Sequence, residues 1–168
     1  ALFRYTMICG TPTWRASSDW EAEIGFSHQA MMDAHRRSAA LMAAIRDEHE
    51  TAESPFVISA DMGPRGDGYV PGKVMTAAEA EAYHRTQIEV LAKTEVDLVT
   101  GLTLNYAEEA IGMARAAGTA DMPVAISFTV ETDGRLPTGQ PLGEAIQQVD
   151  AETGNAPAYY MINCAHPT

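Results

Sequence analysis

Pro55-Phe56-Val57-Ile58-Ser59-Ala60-Asp61-Met62-Gly63-Pro64-Arg65-Gly66-Asp67-Gly68 is the stretch from which the fold can be read. Phe56 to Ala60 is a short apolar run suited to a buried β-strand. It closes on a loop, Asp61 to Gly68, rich in Gly, Pro and Asp, which supply turn geometry and side-chain-to-backbone hydrogen bonds. In that setting Asp61 and Asp67, like Asp133 further on, are read as turn-fixing residues. Thr76-Ala77-Ala78-Glu79 is then a capping box opening a helix to about Lys93. The unit is strand, long polar loop, capped helix. Neither this loop nor any other stretch carries Gly-x-Gly-x-x-Gly or a Gly-Lys-Ser/Thr phosphate loop, so no nucleotide site is indicated.

The same unit recurs in both directions. Downstream, Val96 to Leu102 reads as a strand, and Tyr106 to Ala117 as a helix stopped by Gly118. Pro123 to Val130 is the next strand, followed by a loop from Glu131 to Gln140. Pro141 fits the first turn of a helix with an apolar face of Leu142, Ala145, Ile146 and Val149, ending near Gly154. Ala158 to Asn163 is the last strand. Upstream, Leu2 to Cys9 is a strand, Ser18-Asp19-Trp20-Glu21 a capping box, and Gly25 a helix end. Ser27 can cap a helix over His28 to His49 whose inner face should carry Met31, Ala34, Ser38, Leu41, Met42 and Ile45.

Five strands thus alternate with four helical segments, which implies a parallel α/β sheet covered on both sides. Periodicity alone fits both a doubly wound sheet and an arc of a (β/α)₈ TIM barrel. The long polar loop after every strand favours the barrel, because a dinucleotide fold concentrates such loops at one switch point.

The chain has 168 residues with no linker or low-complexity segment, and residues 1–168 read as one domain. Its 46% hydrophobic content suits a globular protein. No apolar run approaches the roughly 18 residues a membrane helix needs. Eleven Lys and Arg against 23 Asp and Glu give a net charge of −12, a field that repels nucleic acid and anionic membrane. Two distant cysteines, Cys9 and Cys164, and the lack of a signal-peptide layout point to a reduced, cytoplasmic setting. Ala1 in place of Met, with an apolar run from Leu2, reads as a piece of a longer chain.

Chemistry concentrates at two strand ends. Asn163, Cys164 and His166 follow the apolar Tyr159 to Ile162, just before Pro167, and α/β proteins keep their sites at the C-terminal ends of strands. Cys164 is a candidate metal ligand, with core packing the alternative. His166 could supply a nitrogen ligand or a substrate hydrogen bond. After the first strand, Thr11, Trp14 and Arg15 stand at a second such strand end. Arg15 suits a carboxylate and the Trp14 ring face a cationic group, the alternative being a salt bridge and a packed indole.

In order along the chain, Thr11-Pro12-Thr13-Trp14-Arg15-Ala16-Ser17, Gly63-Pro64-Arg65-Gly66-Asp67, Ser127-Phe128-Thr129 with Asp133-Gly134, and Ile162-Asn163-Cys164 resemble the motifs of the homocysteine S-methyltransferase family, zinc enzymes on a (β/α)₈ barrel. The resemblance implies that this chain covers about strands 2–6 of that barrel. Outside it would lie the first βα unit, with its Asp-Gly-Gly strand end, and the seventh and eighth strands, with the Gly-Gly-Cys-Cys that supplies two zinc thiolates.

Cys164 matches the family's remaining Zn²⁺ ligand, with Thr11, Trp14, Arg15, Asn163 and His166 as substrate-binding residues. The implied activity is methyl transfer from an S-methyl sulfonium or N-methyl donor to homocysteine, a step of methionine biosynthesis. One departure stands out: Gly101 aligns where many members carry a substrate-holding glutamate. The competing expectation is a non-catalytic fragment or pseudoenzyme acting as a packing or interaction module, whose open barrel edges a homo-oligomer could cover.

Overall fold

In the computed structural model, which describes residues 5–166, five strands are separated by one or two helices along the chain. The elements are β1 (Met7–Gly10), α1 (Ser18–Glu23), α2 (His28–His49), β2 (Phe56–Met62), α3 (Ala77–Leu91), β3 (Leu98–Leu104), α4 (Ala107–Thr119), β4 (Val124–Phe128), α5 (Leu142–Thr153) and β5 (Pro157–Ile162). Each strand pairs in parallel with the next, and the sheet order is β1-β2-β3-β4-β5.

That order resolves what periodicity could not. A doubly wound sheet reverses its strand order at a switch point, and this one never does. Right-handed crossovers that always step the same way lay every helix on the same face. Ile58, Met62, Val99, Ile126 and Phe128 accordingly share one buried cluster with Ile88 and Leu91 of α3 and Ile111 and Met113 of α4. The alternate residues Ser59, Asp61, Thr100 and Leu102 line a hollow on the concave face. The expected cover on both sides is therefore corrected to cover on one. The strands read as continuously apolar because a barrel interior also takes apolar residues, here Ile8, Leu102 and Met161.

Local signals place several boundaries. Ser27 accepts a hydrogen bond from the Ala30 N–H, and Thr76 and Glu79 form both halves of the capping box. Gly154 ends α5 in the left-handed region. Others are corrected. Ser17, not Ser18, is the N-cap of α1 and makes no side-chain cap bond. The helix α4 runs through Gly118 to Thr119, because Gly118 keeps helical geometry there. The strand β2 extends through Asp61 to Met62. Residues 2–4 of the first expected strand, and Pro167, lie outside the described residues.

The inner face of α2 is rotated from the expected one. Leu41 is 54% exposed, while His35 and Ala39 are buried with Met31, Met32 and Met42. Neither His35 ring nitrogen has a well-formed hydrogen bond, and burial lowers its pKa to about 4, the backbone of Ala16 offsetting this only in part. The unfolded ring titrates near 6.5, so the folded state resists a proton that the unfolded state accepts. Stability is then fully present above that pH and falls by about 3 kcal/mol as the pH drops toward 4. Urea denaturation of parent and His35→Leu across this range checks it: the variant should show the shallower pH slope.

Candidate functional site

Cys164 sits just past β5, exposed, with its backbone in the left-handed region at φ 53°. Its neighbour Asn163 holds it there. The Asn163 N–H extends the ladder to the Phe128 carbonyl at 3.1 Å. The Asn163 side-chain oxygen accepts from the Thr103 N–H at 2.9 Å and the Ser127 hydroxyl at 2.7 Å, while its amide donates to Thr103 Oγ1 at 2.8 Å and to Cys164 Sγ at 3.2 Å. Thr103 Oγ1 also faces the sulfur at 3.9 Å, and the Thr129 hydroxyl donates to the Cys164 carbonyl at 3.2 Å. One amide therefore ties the ends of three strands together around the thiol.

Thr103 reaches this position through an irregularity. The β3–β4 register shifts between Gly101 and Leu104, and Thr103 has φ 62°. Such a bulge re-aims a side chain at a strand end. It also corrects the reading of Gly101. A Cβ there would lie 2.6 Å from Met113 Sδ, so position 101 faces α4 and not the mouth of the sheet. The inward residue at that strand end is Leu102.

Trp14, Tyr69, Leu102, Thr103, Asn163 and Cys164 line a cavity of about 330 Å³. Trp14 is fixed by its indole N–H, which donates to the Leu102 carbonyl at 3.2 Å, and by its own carbonyl, which accepts from the Gly63 N–H at 2.9 Å. Tyr69 arrives on the loop after β2, where Asp67 Oδ1 accepts from the Tyr69 and Val70 N–H groups and Asn105 Nδ2 donates to the Asp67 carbonyl at 3.0 Å. A larger hollow of about 630 Å³ between Arg15, Trp20 and Asp67 has no thiol and is open and charged. The chemistry lies with the smaller one.

The Tyr69 hydroxyl lowers the Cys164 pKa, with Thr103 and Asn163 assisting and burial working the other way. Donors around a sulfur favour its thiolate. Tyr69→Phe should therefore raise the pH at which the Cys164 thiolate forms. Ultraviolet titration in a Cys9→Ser background checks this, and an unchanged midpoint would refute the assignment.

The expected site residues are only partly gathered here. Trp14, Asn163 and Cys164 share the cavity. Arg15 stands beside it, its guanidinium 4.6 Å from the Trp14 ring centroid and 5.0 Å from that of Trp20. Thr11 is buried, bonded to Thr13 Oγ1 at 2.7 Å and to the Asp61 N–H at 3.2 Å. His166 is exposed and is not among the described residues lining the cavity. Cys9 packs against the core. Tyr69 and Thr103 were missed: one is an aromatic in a turn-rich loop, the other depends on the bulge, and neither has a local sequence signal.

For a metal, the described residues offer Cys164 as an exposed thiol already biased toward thiolate, and no group of three or more His, Cys, Asp or Glu side chains. They fit one ligand position. No helix among the described residues is long and apolar enough to cross a membrane.

Residues 6–168 match the family model described as homocysteine S-methyltransferase. Among solved structures the chain is similar to the homocysteine methyltransferase MmuM from Escherichia coli, at 20% identity in each of three forms. The oxidised form has a TM-score of 0.82, covering 94% of this chain and 57% of that one. The metallated form has a TM-score of 0.77 over 94% and 58%, and the apo form 0.62 over 96% and 57%. The likeness is one of fold, and the chain spans little more than half the length of that protein. No curated protein sequence matches it.

Proposed function

This chain belongs to the homocysteine S-methyltransferase family, and we propose that the full-length barrel containing it moves a methyl group from an S-methyl sulfonium or N-methyl donor to the thiol of homocysteine. The observation that carries this reading is the exposed, donor-surrounded Cys164 thiol at a strand tip, facing a cavity walled by Trp14, Tyr69 and Leu102.

A free thiol near pKa ~8.5 is mostly protonated at neutral pH, while the thiolate is the nucleophile. Zinc, when bound, supplies the positive charge that keeps the acceptor sulfur deprotonated. Cys164 would be one of its sulfur ligands, the others lying outside the described residues. In the transfer the acceptor sulfur forms a bond to the methyl carbon as the donor's C–S or C–N bond breaks, its electron pair staying on the leaving atom.

The rest is positioning and exclusion of water. Asn163 and Thr103 aim the Cys164 sulfur. The ring faces of Trp14 and Tyr69 suit a cationic donor, and Leu102 keeps that wall dry. Arg15, at the rim between two indoles, suits a substrate carboxylate, and His166 offers a hydrogen bond from the outer rim. Thr11 acts from behind, through Thr13 and Asp61. Methionine formation from homocysteine by the full-length protein, with S-methylmethionine and with betaine as donors, tests the reading. No product with either donor would reject it.

A second reading rests on the sheet edges. Ile8 on β1 and Ile162 on β5 are 53% and 54% exposed, and exposed apolar edge strands recruit partners. In that reading residues 1–168 act as an interaction module that pairs with a second copy. Sedimentation of the chain as a monomer at high concentration would count against it.

A further inference from the structure

The Asp61 carboxyl faces the concave side of the sheet and, unlike the Asp61 backbone, has no part in the fold or in the proposed transfer. Its side chain lines a hollow of about 220 Å³ with Gly10, Ser59, Thr100, Leu102 and Met161. Leu102 also lines the Cys164 cavity, so the two spaces share a wall residue.

Two devices hold the carboxyl in place. Its Oδ1 accepts from the Ser59 hydroxyl at 2.7 Å, and that hydroxyl is linked to Thr100 Oγ1 at 2.6 Å. Its Oδ2 occupies the space a side chain at position 10 would fill, since a Cβ on Gly10 would stand 1.8 Å from it. The ties between β2 and the loop after β1 do not need the charge. They run through the Asp61 backbone, whose carbonyl accepts from Thr13 and whose N–H donates to Thr11.

Among the described residues no cationic side chain forms an ion pair with Asp61 or lines its hollow. A half-buried carboxylate without a counter-ion is costly to keep charged. Burial raises its pKa accordingly, with the Ser59 bond opposing. A cation arriving from solution would relieve that cost.

We propose that Asp61 is a specificity-determining residue that recognises a primary ammonium group of the substrate. On the transferase reading above, on which this identification rests, the group is the α-ammonium of the acceptor amino acid. A carboxylate in this position distinguishes an amino acid thiol from the same thiol lacking its amine.

Calorimetric titration of the full-length protein with L-methionine and with its desamino analogue tests this without requiring turnover. The parent should bind methionine about tenfold or more tightly than the analogue, the worth of one hydrogen bond to a charged group. Asp61→Asn should abolish that difference while leaving affinity for the analogue unchanged. Gly10→Ala, which displaces the carboxyl without removing it, should do the same and guards against a folding defect in either variant. A parent that does not discriminate, or discrimination that survives in Asp61→Asn, overturns the proposal. Discrimination lost in the variants but no methyl transfer by the parent would reject the transferase reading and leave the ammonium site standing. Turnover with equal affinity for both ligands would do the reverse.

Discussion

Cys164→Ser in the full-length protein is expected to remove most bound zinc and to lower methionine formation by about three orders of magnitude or more. Zinc sites owe apparent affinities of roughly 10–16 kcal/mol to several ligands acting together, and even outer-shell partners are worth 10–100-fold. Losing a thiolate itself should cost more than losing the residue that orients it. Serine keeps the size of the side chain and can still meet Thr103 Oγ1 and Asn163 Nδ2, so the strand ends stay joined. Cys164 is exposed, which limits the effect on folding. Metal analysis and product assay on the same preparations separate the possibilities. Cys9→Ser is the control, since Cys9 packs against the core away from the cavity. Equal zinc in the parent and in Cys164→Ser would remove the metal-ligand role and the main support for the proposed chemistry.

Much of this architecture was legible because its signals are local. The alternation of apolar runs with capped helices depends on neighbours in sequence, and Ser27 and Thr76 cap where their patterns say they should. The strand order was not legible in the same way, since periodicity does not rank a strand's neighbours. Only the length and polarity of the loops favoured the barrel, and the unreversed order β1 to β5 agrees with it.

The errors share a cause: they needed contacts between distant segments. Leu41 reads as a core residue of α2, but the buried face runs one position further on, through His35, Ala39 and Met42 in place of Ala34, Ser38 and Leu41, because an apolar stripe one position off reads equally well. Gly101 was aligned with an inward-facing acid, yet the bulge before Leu104 turns Leu102 and Thr103 to the mouth. Asp61 reads as a turn residue beside Gly63-Pro64, whereas pairing with β3 carries the strand past it to Met62. Asp67 and Asp133, with their own loops to bond, are turn residues as expected. The Asn163-Cys164 tip is legible in the sequence because two polar residues end an apolar strand, but the partners that define their chemistry come from the ends of two other strands and a loop.

Glu109→Ala is the substitution expected to cost the fold most, about 3–5 kcal/mol. Glu109 opens α4 and is 0% exposed, and His84 on α3 is 1% exposed. One carboxylate oxygen accepts from His84 Nε2 at 2.9 Å and from the Arg65 N–H at 2.7 Å. In the first turn of a helix its charge also lies favourably in the helix dipole. Alanine would leave a buried ring nitrogen and a backbone N–H without an acceptor, and a void between α3 and α4, each a recognised source of large losses. The damage should reach the site, because Arg65 lies in the loop that brings Tyr69 to the Cys164 cavity, and Asn105 is that loop's other anchor. Glu109→Gln keeps an acceptor of the same shape and should lose far less. Urea denaturation of parent and variants measures both. In the double substitution with His84→Ala the losses should be markedly less than additive, since each single change strands the other's partner. A Glu109→Ala protein within about 1 kcal/mol of the parent would show that the buried pair is not what fixes the loop.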